Sequence, residues 1–293
     1  MPFTIPESFT KLRSNLEISF PQATTVSTRQ QGVRATISSG FKIVEDFLTG
    51  SYIRSTMISP LKEADVDIFV ALDPSYYHQY SGQNGGQRGL LDYMRRTLLK
   101  TYTSTPDISR NGQAVTIRFS DFVVDVVVGF KRQNGGYIIA NAVNNQWLET
   151  DPKKHVEIIA TANKVHGGSL VPIIKMLKSW NKSHSCLLRS FHIEVLALEV
   201  FNSVTISDFP SGIRFFFDRA QAKVAGHNLD PAGFGDDIGK YINTQEKLQE
   251  ILNRLRTGFK QAAEAEQYAA RGDYINAIAQ WRKIMPIHFP AHG

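Results

Sequence analysis

Apolar residues recur along this chain in two rhythms. From Val66 to Leu72 they alternate, and Ala114 to Phe119 and Phe122 to Phe130 read as neighbouring strands. Spacings of three and four take over at Leu90, Leu91, Met94, Leu98 and Leu99, which marks a helix. Upstream, Val33, Ile37, Phe41, Val44 and Leu48 keep helical spacing and predict one helix running up to Gly50. Ser81 to Gly89 reads as a polar, glycine-rich loop, and Asn134-Gly135-Gly136 as a hairpin turn before Tyr137-Ile138-Ile139. The first half is therefore expected to be α+β, with an antiparallel or mixed sheet.

After Asp151-Pro152 only the helical rhythm remains. Leu170, Ile173, Ile174, Leu177 and Trp180 form one stripe, and Lys175, Lys178 and Lys182 share the opposite face, a solvated one by spacing alone. Further helices are expected over Phe191 to Phe201, from near Thr244 to Tyr268, and around Ile275, Ile278 and Trp281 after the break at Gly272-Asp273. The change of character predicts two domains, 1–155 and 156–293. No repeat of solenoid period is present.

Composition narrows the class. A chain of 293 residues with 42% hydrophobic and 20% charged content suits a soluble fold, and no apolar run reaches the roughly 18 residues of a membrane span. The amino terminus lacks the pattern of a secretory signal, and a single cysteine, Cys186, fits a reducing cytoplasm. Beside Leu187 and Leu188 it is expected to be a small buried hydrophobe. The net charge of +6 favours anionic partners, nucleotides and nucleic acid among them.

The candidate chemistry lies at Gly50-Ser51, at Asp65-Val66-Asp67, and at Asp125 within a run of valines. Residues two apart on a strand share a face, so the carboxylates of Asp65 and Asp67 project together. A carboxylate among valines loses hydration on folding, a cost a divalent cation would offset. Oxygen-only ligands favour Mg²⁺, Mn²⁺ or Ca²⁺ over zinc. The histidines, His192 among them, have no metal-ligand spacing and read as capping or core groups, and Trp147 and Trp180 read as core.

These motifs resemble the DNA polymerase β-like nucleotidyltransferase superfamily, and more narrowly the bacterial cGAS/DncV-like nucleotidyltransferases (CD-NTases). The narrower likeness rests on Gly136-Tyr137-Ile138, Trp147 to His155, Ile174 to Asn181, Arg189 to Glu194, Leu229-Asp230-Pro231 and Arg271 to Tyr274, and covers roughly residues 40 to 285. One departure is Val128-Gly129, where many relatives carry a proline.

The resemblance implies a polymerase β-like palm with a mixed sheet (residues 1–155) and a C-terminal helical lobe (156–293), with a central cleft between them. It implies two Mg²⁺ or Mn²⁺ ions: Asp65 and Asp67 hold the one carrying the triphosphate, and all three aspartates share the one that activates the acceptor hydroxyl. Gly50, Ser51, Lys178 and Ser190 are the implied triphosphate contacts. The implied activity is condensation of nucleoside triphosphates, ATP among them, into a cyclic di- or oligonucleotide messenger of CBASS anti-phage signalling, with release of pyrophosphate. A monomeric cytoplasmic enzyme with a regulatory protein or nucleic-acid activator is expected. The rivals are transfer to RNA 3′ ends, protein or a small molecule, and a non-catalytic sensor of the same fold.

Overall fold

The computed structural model describes residues 4–104, 107–235 and 237–291. The chain divides into two compact units, one of residues 18–157, the other of residues 1–17 with 158–293. The amino-terminal helix, grouped by its sequence position with the catalytic half, thus belongs with the C-terminal helices.

The first unit holds α2 (Phe20–Gly40), β1 (Ile43–Thr49), α3 (Gly50–Ile53), β2 (Asp65–Leu72), α4 (Pro74–Ser81), α5 (Gly86–Thr101), β3 (Ile108–Asn111), β4 (Ala114–Arg118), β5 (Val123–Lys131), β6 (Tyr137–Asn141) and β7 (Gln146–Thr150). The seven strands form one mixed sheet of order β1-β2-β5-β4-β3, with β6 on the far part of β5 and β7 beyond it. Only the β2–β5 pairing is parallel, which accords with the mixed sheet expected.

The strand alternation sorts the residues into two faces. Val66, Ile68, Val70 and Leu72 on β2 and Val124, Val126, Val128 and Phe130 on β5 turn toward α2 and α5. Val33, Ile37, Leu90, Leu91, Met94 and Leu98 come down from the helices, and the resulting layer is nearly solvent-free. Each such side chain contributes roughly 1.5 to 3 kcal/mol by leaving water. The opposite face carries Asp65, Asp67, Phe69 and Ala71 on β2, in register with Val123, Asp125, Val127 and Gly129 on β5.

The predicted helix over Val33 to Leu48 is corrected. It ends at Gly40, and Ile43–Thr49 is a strand pairing antiparallel with β2. Ser38-Ser39-Gly40 weakens the helix where it stops, and the β-branched Ile43 and Val44 with Phe47 suit a strand. The polar loop is also shorter than expected: α4 runs to Ser81 and α5 starts at Gly86, with Gly85 at φ 73° turning the chain between them.

The second unit consists of α1 (Ile5–Leu16), α7 (Leu170–Ser183), α8 (Ser190–Phe201), α9 (Phe209–Val224), α10 (Gln245–Ala270) and α11 (Tyr274–Ile284); the division between units falls inside α6 (Pro152–Val165). Here α7 is buried along almost its whole length, including the face expected to be solvated. Lys175 is 6% exposed and its Nζ lies 2.7 Å from Glu17, while Lys178 is 5% exposed and faces Glu194. Trp180 is core, edge-on to Phe217. Cys186 differs from its expectation: it is exposed, in a turn where Ser185 and Cys186 both have positive φ. That turn points Cys186 outward and lets Leu188 take the buried position.

Candidate active site

The acid cluster follows from strand register. Parallel pairing of β2 with β5 sets Asp67 directly beside Asp125, and Asp65 lies two residues back on the same face. One carboxylate oxygen from each of the three comes within 4.8 Å of the others. The trio predicted from sequence is therefore assembled. At that distance, each pair of ionised carboxylates repels by roughly 3 kcal/mol at an effective dielectric of about 20, so the arrangement suits a bound cation.

Asp125 shows the strain most directly. Burial pushes its carboxyl above the ordinary value and the charge of Asp65 adds to this, while a hydrogen bond from Thr116 and the charge of Arg118 pull the other way. Thr116 lies opposite Asp125 in the antiparallel β4–β5 pair, and its Oγ1 donates to Asp125 Oδ1 at 2.5 Å. Sequence reasoning missed Thr116. The alternation of β4 places it on the face away from the core, but its partnership with Asp125 depends on a cross-strand register that no local pattern specifies.

Gly50 completes this end of the sheet. Thr49 pairs with Asp67 across β1 and β2, so the chain enters α3 beside the second acid. Gly50 has φ 69°, and a Cβ there would lie 1.6 Å from Asp67 Oδ2. Both the backbone conformation and the contact demand glycine. Ser51 follows, its carbonyl accepting the N–H groups of Thr56 at 2.9 Å and Met57 at 3.1 Å, which closes the turn. A continuous polar row thus crosses five strands: Thr49, Asp67, Asp125, Thr116 and Ser109.

The two remaining predicted contacts belong to the helical unit. Lys178 Nζ lies 2.7 Å from Glu194 Oε1, and Glu194 is fully buried. Ser190 is exposed and opens α8. Just inside that helix, His192 is fully buried: Asn228 Oδ1, an acceptor, is 2.8 Å from Nε2, which therefore carries the proton. Its Nδ1 then accepts from the Tyr241 hydroxyl at 2.9 Å, and Tyr241 accepts the Arg189 N–H at 2.9 Å. This chain of bonds holds the start of α8, and accords with the reading of His192 as a core hydrogen-bonding group.

A family model described as the Second Messenger Oligonucleotide or Dinucleotide Synthetase domain, SMODS, matches residues 3–163, a stretch that contains every member of the acid cluster and Gly50. The chain belongs to this family. It is a cGAS/DncV-like nucleotidyltransferase. Among its relatives, a probable cyclic nucleotide synthase of Bacillus cereus (strain VD146) is 25% identical over 83% of this chain and 81% of its own length. A cyclic AMP-AMP-AMP synthase of Acinetobacter sp. is also 25% identical, over 98% of this chain and 86% of its own. The CdnC protein of E. coli MS115-1, solved with ATP and with a HORMA protein, has the same fold at a TM-score of 0.74 and 16% identity, covering 97% of this chain and 98% of its own. The SMODS match ends inside α6, so the helices after it enter the comparison through these whole-chain relatives.

Proposed function

We propose that this SMODS protein condenses nucleoside triphosphates, ATP among them, into a cyclic di- or oligonucleotide and releases pyrophosphate, as the signal-producing enzyme of a CBASS-type defence. The observation that carries the reading is the set of three carboxylates within 4.8 Å on neighbouring strands, with the backbone of Gly50 against Asp67. The relatives named as cyclic nucleotide and cyclic AMP-AMP-AMP synthases, and CdnC solved with ATP, support the substrate and product class.

The donor set fits a hard divalent cation, with Mg²⁺ the expected ion: all ligands are carboxylate oxygens, and Asp125 is held half-buried with one oxygen already committed to Thr116. Two such ions, when bound, supply the positive charge that stabilises the attacking and leaving oxygens of an in-line displacement. Asp65 and Asp67 orient the triphosphate end of the donor nucleotide. Asp125, on the strand beside Asp67, is placed to take the proton of the acceptor hydroxyl. The missing side chain of Gly50 lets phosphate approach the backbone, and Ser51 offers N–H and O–H donors to it.

Lys178 and Ser190 are assigned to the β- and γ-phosphates. In that role Glu194 holds the Lys178 ammonium in place until the triphosphate shares it. We read the enzyme as monomeric and cytoplasmic, with 1–155 as its catalytic segment and a protein regulator as its expected partner, the last supported by the HORMA complex of CdnC. No helix among the described residues is long and apolar enough to cross a membrane.

The test is incubation of the purified protein with labelled nucleoside triphosphates and Mg²⁺, with no acceptor added, followed by mass spectrometry. A phosphatase-resistant cyclic product is expected. Strict dependence on added RNA, protein or a small-molecule acceptor would overturn the reading, as would unchanged biological activity after Asp65→Asn with Asp67→Asn.

A further inference from the structure

On the helix-bearing side of the β3 edge the first unit contains a cavity of about 450 Å³ that shares no residue with the acid cluster. Its charged lining comes from α5, which presents Arg88, Asp92 and Arg95, and from the β3 segment, which presents Asp107 and Arg110. On a helix, positions i, i+4 and i+7 share one face, so the three α5 groups point the same way.

The charges do not cancel. Asp92 is bonded to Arg110 at 2.8 Å, and Asp107 to Arg118 at 2.9 Å. Both carboxylates are thereby committed. With Asp92 neutralised by Arg110, and Asp107 by Arg118 from outside the cavity lining, the guanidinium groups of Arg88 and Arg95 remain as two uncompensated charges. Arg88 and Arg95 form no ion pair among the described residues; each is tied to a backbone carbonyl, Arg88 Nη2 to Ala142 O at 3.3 Å and Arg95 Nε to Ile108 O at 2.6 Å.

A guanidinium has five N–H donors in a fixed fork, and one carbonyl uses only one of them. The carbonyl fixes the plane of the fork, and the remaining donors are left to a partner with planar or tetrahedral oxygens. Two such groups at one cavity wall match an anion carrying two phosphoryl charges. We propose that this cavity is a second anion site, separate from the catalytic acids, that takes the phosphate or diphosphate group of a small molecule through Arg88 and Arg95.

The site is tested with inorganic pyrophosphate titrated calorimetrically into the full chain in EDTA, where the acid cluster repels anions. Arg88→Gln and Arg95→Gln should each weaken binding about tenfold, the loss of roughly one charge-assisted contact. Arg88 is exposed, so Arg88→Gln remains decisive if Arg95→Gln fails to fold. The control Ser51→Ala with Ser190→Ala, which thins the assigned triphosphate contacts, should leave this affinity unchanged. Three results overturn the proposal: no pyrophosphate binding by the unmodified protein, loss of binding only in the Ser51 and Ser190 control, or an Arg88 dependence seen for a single-stranded oligonucleotide but absent for pyrophosphate. None of these bears on cyclic oligonucleotide synthesis, whose product is read separately.

Discussion

The two ends of one sheet face treat carboxylates in opposite ways. At the end where β2 and β5 begin, Asp65, Asp67 and Asp125 crowd within 4.8 Å, and Asp125 is pushed above its ordinary value. Toward the other end, roughly 20 Å along β5, Glu45 of β1 meets Lys153 at 2.8 Å, Lys131 at 3.1 Å and the Tyr137 hydroxyl at 2.5 Å. Burial raises the Glu45 carboxyl, but these donors outweigh burial and hold it down to about 2. The first arrangement costs folding free energy until a cation arrives, whereas the second is satisfied by the protein itself. Like charges crowded together on one face mark the place where a ligand is needed.

The largest effect that would break this contrast is on activity. Asp67→Asn should lower nucleotide turnover by about a thousandfold or more, roughly 4 kcal/mol of transition-state stabilisation, in the product assay. Its melting temperature in EDTA should hold or rise, since a repulsion is removed. A lower melting temperature in EDTA would show that the cluster is not strained.

Cation binding comes next in size. Mg²⁺ at about 100 times its dissociation constant should stabilise the unmodified protein by about 2.7 kcal/mol, and chelation should reverse this. In Asp65→Asn with Asp67→Asn the increment should vanish in the same melting experiment.

The Glu45 end predicts a pH dependence of opposite origin. A carboxyl lowered by folding contributes stability that is present above its unfolded value, near 4.5, and is lost as pH falls through about 2. Glu45→Gln should cost about 1 to 2 kcal/mol at neutral pH, allowing for solvent screening, and should flatten the unfolding profile between those pH values. An unchanged profile would remove the contrast.

The smallest effect concerns Thr116. Asp125 is raised, so its contribution to folding is present below the ordinary value near 3.8 and is lost as pH rises through the raised one. Thr116→Val removes a donor that favours the ionised form, worth about 1 kcal/mol. The acid limb of turnover should move to higher pH by less than about one unit, with near-normal rates well above it.

Much of this site is legible in the order of residues alone. Alternation puts Asp65 and Asp67 on one face, and the valine run makes β5 a strand with Asp125 near its start. Segment 33–48 is ambiguous for a physical reason: spacings of three and four fit a helix, yet β-branched residues after Gly40 fit a strand, and pairing with β2 decides between them. The lysine face of α7 misleads because spacing reports direction around a helix and says nothing of what lies there. Lys175 pairs with Glu17 and Lys178 with Glu194, and packing within the helical unit buries both lysines.

The sequence by itself determined which side chains share a face, which segments are rich enough in apolar groups to form a core, and which family the chain resembles, because these depend on local periodicity and residue chemistry. Only the tertiary structure decided that Asp67 stands beside Asp125, that Thr116 bonds to it, that Gly50 touches Asp67, and that Arg88 and Arg95 line one cavity. Each of these depends on the register between segments distant along the chain. Register is set by the summed packing of whole faces, and no single stretch of residues carries it.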